Sequence, residues 1–334
     1  MTLAAACGWS LVRSLVVALA AWPICNRQSA WLRGMDHWRR RRAWFVLLIP
    51  FLCPELWTGY AWSGFALRLA GTAFWNLFPS GFFPSPQAIV ARDAAVDELL
   101  LHLLLFFRAV PVGTLAVYFA PPPPLSEEAV YCRELVRAKS QRRGSPFGGG
   151  IGFMLRGRWH TALPAVALMF LVSFQEFELA SLIGRPAWTV WLFDAQVGGL
   201  ALRESLRLAL LPVVCQMVVL LPVAWWVLAS RSVPSRRVRH SRPISLRWQR
   251  AMWVLVFVAV TVTVVVPAVL VGQGMPQGLG HVFQNRAQLE LLLKEITVGI
   301  EYALAAAVAS AFVASRLMLG ARRSRLARAG VLAC

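Results

Sequence analysis

The sequence predicts an all-α, polytopic membrane protein with about seven transmembrane helices. Three observations predict it. The 334 residues are 58% hydrophobic and only 15% charged, with a mean hydropathy of +0.60, against about 25% charged in a soluble domain. Mostly apolar runs of the ~17–25 residues needed to cross a bilayer recur along the chain. Basic residues fall in short bursts between those runs.

The expected spans run about 9–25, 43–63, 98–119, 161–183, 206–230, 251–273 and 298–318. Arg13 lies inside the first run and the basic cluster follows it, so the run reads as a retained span and not a signal peptide. The Phe- and Trp-rich segment 64–90 is broken by Gly and Pro and reads as interfacial or re-entrant. Charge gives the orientation. Segments 26–42, 120–160, 231–250 and 319–334 hold 24 Lys and Arg, whereas 1–8, 64–97, 184–205 and 274–297 hold 6. Seven spans place these sets on opposite faces, with the C-terminus cytoplasmic and the N-terminus outside.

The formal net charge of +19 does not point to nucleic acid, because the basic residues form no polar face of their own. The six cysteines form no CxxC motif. The pattern GxxxxGK[ST] is absent, as are HExxH and GxSxG, and the five histidines are dispersed. No catalytic set, metal site or cofactor is expected from the sequence.

Ionisable groups within spans cost roughly 2.5–3.5 kcal/mol on insertion scales and normally face a bundle interior or a watery path. Gln175-Glu176-Phe177-Glu178 is the densest such group. On a continuous helix Gln175 and Glu178 share a face and Glu176 points elsewhere. Glu55 follows Pro54 near the middle of the second span, and Arg108 lies within the third; they are candidates to pair across helices. Gln175, Glu176, Glu178, Glu55 and Arg108 are thus the candidate lining of a translocation path. Glu301 and Arg316 bracket the last span, where Arg316 can snorkel to the interface.

Three stretches resemble the permease subunits of binding-protein-dependent ABC importers, closest to the ferric-iron, thiamine and spermidine group. SLVRSLVVALAAW, the Arg cluster and FVLLIPFLCPELWTGYAW resemble that group's first core hairpin. LSEEAVYCREL at 125–135 resembles the start of its EAA loop, and LPAVALMFLVSFQEFELASLIG at 163–184 its closing Leu-Pro and following span. Beyond those three, ELLLKEITVGIEYALAAAVASAFVASRL at 290–317 resembles the opening span of a second core.

The resemblance implies a type I ABC importer permease core of about five helices over residues 1–230, including an EAA-like cytoplasmic loop at 120–160. A basic linker follows at 231–250, and 251–334 holds two further spans, the start of a second core. It also implies docking to a separate ABC ATPase through Glu127, Glu128, Ala129, Leu163 and Pro164. Val130 stands in place of the motif's second Ala, and Glu134 in place of its Gly. The implied partners are that ATPase, an extracytoplasmic solute-binding protein, a second permease chain and membrane lipids. The implied setting is a bacterial cytoplasmic (inner) membrane, and the implied cargo is ferric iron or another small cation or metabolite. Two other classes fit the composition: a polytopic membrane enzyme acting on lipids or lipid-linked substrates, and a non-transporting scaffold.

Overall fold

A computed structural model describes residues 2–65, 86–120, 162–229, 246–284 and 286–323. Helices are the only regular structure among them. The elements are α1 (Leu3–Arg33), α2 (His37–Leu52), α3 (Glu55–Trp62), α4 (Pro86–Phe119), α5 (Ala162–Phe174), α6 (Glu178–Leu182), α7 (Trp188–Val197), α8 (Leu202–Ala229), α9 (Leu246–Val260), a π-helical turn (Thr261–Val265), α10 (Val266–Gln284) and α11 (Arg286–Arg323). The chain is therefore an all-α polytopic membrane protein.

Among the described residues five helices are long and apolar enough to cross a membrane, or six if the bent pair α2–α3 is one span. The expected span at 161–183 is where the count differs from seven. It forms the 13-residue α5, a break and the five-residue α6. At 1.5 Å per residue α5 is about 20 Å long, short of the roughly 30 Å hydrocarbon thickness.

The core is α1, α4 and α5. Buried residues of α1 recur at Ala6, Ser10, Arg13, Val17, Ala21, Cys25, Gln28 and Leu32, a three-to-four-residue period that defines one helix face. Small residues let backbones approach closely, which is how membrane helices gain packing where no hydrophobic driving force separates them from lipid. At Gly113 of α4 an added Cβ would collide with Met169 Sδ of α5 and Cys25 Sγ of α1. Phe170 and Phe174 fill the space beside them, stacked at 5.2 Å. Polar side chains in this core are mostly paired. Thr114 Oγ1 donates to Gln28 Oε1 at 2.8 Å, and Arg33 Nη2 caps α4 by donating to the Val117 and Tyr118 carbonyls at 2.9 Å each.

Two helices are broken, for different reasons. Pro54 has no N–H to give, and it holds Cys53 extended (φ −64°, ψ 131°), so α2 stops and α3 leaves at 65°. The second break, between α5 and α6, contains no proline. Here Glu176 Oε1 accepts the Leu179 N–H at 2.8 Å and starts α6 with a side-chain cap. Carbonyls left at the break are taken by α7: Trp188 Nε1 donates to Phe174 O and Thr189 Oγ1 to Glu176 O, both at 2.7 Å. α6 then ends in a Schellman turn. Arg185 N donates to Ala180 O at 2.8 Å and Gly184 N to Ser181 O at 3.1 Å. Gly184 adopts φ +72°, which suits a residue without a Cβ.

The π-helical turn leaves carbonyls off the regular ladder, and α2–α3 uses them. Thr58 Oγ1 and Cys53 Sγ donate to Thr263 O at 3.0 and 3.3 Å, and Trp62 Nε1 donates to Val262 O at 3.0 Å. By contrast the apolar stretch of α11 has no buried residue, and that of α8 almost none.

Candidate functional site: two broken helices meeting at Arg108

Arg108 projects from the middle of α4 and is 7% exposed. Its Nη2 forms an ion pair with Glu55 Oε1, so the residues expected as candidates to pair do pair. Its Nη1 donates to the Cys53 carbonyl at 3.3 Å, at the end of α2. The guanidinium thus spans the first break, with α2 on one side and the first residue of α3 on the other.

The second break comes to the same place because α3 packs on α6. Gly59 allows the approach: a Cβ there would stand 3.1 Å from Leu182 Cβ. Glu176, 6% exposed, lies close enough to Glu55 and Arg108 for its carboxyl to feel both charges. The site therefore holds two carboxyls and one guanidinium, gathered from α3, α4 and the α5–α6 break. Arg108 Nε is buried and lacks a hydrogen-bond partner among the described residues.

One expectation is corrected. The helix is not continuous through 175–178, so the shared face expected of Gln175 and Glu178 on an unbroken helix does not form. Gln175 is exposed, Glu178 is half-buried as the first residue of α6, and Glu176 is the buried member. Leu163 and Pro164 are half-buried in the first turn of α5, where a proline costs no intrahelical hydrogen bond. Glu127, Glu128 and Ala129 lie outside the described residues. Glu301 and Arg316 are exposed on α11.

Sequence reasoning missed a second ionic cluster. Arg13 of α1 grips Glu98 of α4 with two bonds, Nε to Oε1 at 2.7 Å and Nη2 to Oε2 at 3.0 Å. Arg185 Nε adds a third at 3.1 Å, and Arg13 Nη2 also donates to Pro186 O at 3.1 Å. The signal was present: an arginine inside a span needs a buried anion.

No protein-family model, curated protein or solved structure matches this chain. Among the described residues no group of three or more His, Cys, Asp or Glu is placed to hold a metal ion.

Proposed function

We propose that this chain is the membrane-spanning permease of an ABC importer, and that the Glu55–Arg108–Glu176 site lies on the path of a small solute. One observation carries the reading: two interrupted helices meet at a buried ionic site. Interrupted membrane helices place backbone and charged groups where a solute can use them, whereas a purely supporting bundle gains nothing from breaking its helices. The EAA-like stretch at 125–135 and the Leu163-Pro164 pair support the same class. In this reading a separate ATPase pulls on the loop at 120–160, and α5, which follows that loop directly, relays the movement to the break at Glu176. The chain performs no chemistry itself.

The test is reconstitution with an ABC ATPase and a solute-binding protein, taken from the neighbouring genes where these encode them. Solute uptake and stimulated ATP hydrolysis are expected, with Glu128→Lys abolishing both. Purified protein that neither binds nor stimulates that ATPase overturns the reading. Turnover of a lipid-linked substrate without ATPase, lost in Glu176→Ala, would place the chain among membrane enzymes.

A further inference from the structure

At one end of the bundle α1 finishes, α2 begins and α9 begins. Their packing is well defined. Trp31 and Leu32 of α1 pack with Ala43 and Leu47 of α2 and with Met252 and Val256 of α9. Trp31 meets Trp253 edge-on at 5.2 Å, and the Arg27 guanidinium lies over the Trp248 ring at 3.9 Å. Around this corner Arg27, Arg39, Arg41, Arg42, Arg247 and Arg250 are all exposed. The nearby acidic side chain on these segments is Asp36, itself exposed and 3.7 Å from Arg39.

The surface beside these arginines decides what they meet. On α2, Arg41 and Arg42 are followed by exposed Phe45 and Leu52. On α9, Arg247 and Arg250 are followed by exposed Trp253, Val254 and Phe257. Each helix thus passes from guanidinium to ring to aliphatic surface within a few turns. An acidic protein or a free anion would match only the charged part. An amphiphile with an anionic head and apolar tails matches the whole sequence of surfaces, and tryptophan at the junction suits the headgroup level.

We infer that the α1–α2–α9 corner binds anionic phospholipid, its phosphate held by the arginines of α2 and α9 and its tails lying along the outer faces of those helices. The inference stands on the membrane fold and is independent of transport.

The test uses the full chain in nanodiscs of mixed phosphatidylglycerol and phosphatidylcholine, with retained lipid counted by mass spectrometry after extraction into detergent. Wild-type protein is expected to retain phosphatidylglycerol preferentially. Removing two guanidiniums in Arg42→Gln/Arg250→Gln should lower that preference on the order of 10-fold. Arg42→Lys/Arg250→Lys should keep most of it, because charge is preserved. Raising salt should weaken retention by the wild-type protein, a readout that needs no variant. Preference unchanged in the glutamine variant, or insensitive to salt, overturns the inference. So does displacement of the lipid by inorganic phosphate at equal concentration, which would assign the corner to a soluble anion. Equal loss in the lysine and glutamine variants also overturns it.

Discussion

The two ionic clusters inside this bundle are built in opposite proportion. At Glu98 two guanidiniums serve one carboxylate, and every contact is direct: 2.7 and 3.0 Å from Arg13, 3.1 Å from Arg185. At Arg108 one guanidinium is ion-paired to Glu55 with the Glu176 carboxyl nearby, and Arg108 Nε is left without a partner among the described residues. The first cluster ties α1 to α4 and to the turn after α6, with both carboxylate oxygens engaged. The second lies where two helices are interrupted. A closed network suits support, and an open one suits exchange of partners. The comparison teaches that buried charge alone does not mark a functional site.

The largest expected effect tests the supporting role. Glu98→Ala leaves buried Arg13 and half-buried Arg185 without their anion and should cost about 3–5 kcal/mol. Thermal unfolding in detergent micelles reads this, and a loss well under one kcal/mol would remove the distinction drawn above. Arg108→Met leaves Glu55 and Glu176 facing each other. The expected cost is smaller, about 2–3 kcal/mol, because Glu55 still reaches solvent. On the proposed permease reading, uptake is abolished in the fraction that remains folded, whereas Glu98→Ala reduces uptake only in proportion to folded protein. Gly59→Ala forces α3 and α6 apart at Leu182 and should cost about 1–2 kcal/mol. Its sharper readout is transport per folded molecule, since the two breaks are brought together there. Glu176→Gln has the smallest effect on unfolding, about 1 kcal/mol or less, because the amide oxygen still caps Leu179. Its transport should fall far more than its stability does. A stability loss matching that of Glu98→Ala would make both clusters structural.

Much of this was legible in the sequence. The all-α membrane class follows from hydropathy, and Glu55 and Arg108 stand out because charge within apolar runs is costly. The break at Glu176 was not legible. It rests on a carboxylate accepting a backbone N–H three residues on, a local choice that no proline announces. Periodicity applied across it put Gln175 and Glu178 on one shared face and Glu176 on another. Arg13 was visible, but its partner was not, since Glu98 stands at the very edge of the expected third span. Hydropathy also fails to rank the spans by packing. The stretches of α4 and α11 are almost equally apolar, yet 67% of one is buried and 0% of the other. Which helices pack together is decided by small residues such as Gly113, whose contacts are long-range.

The interruption at Pro54 has an electrical direction. A helix carries roughly half a negative charge at its C-terminal end and half a positive charge at its N-terminal end. α2 ends at the gap and Arg108 meets its final carbonyl there; α3 begins across the gap with Glu55 in its first turn. Each charge therefore faces the pole of opposite sign. Exchanging them, as Glu55→Arg with Arg108→Glu, would keep the attraction between the two side chains and set both against the helix ends beside them. The pair is wired one way round, and a swap that preserves its charge should not restore it.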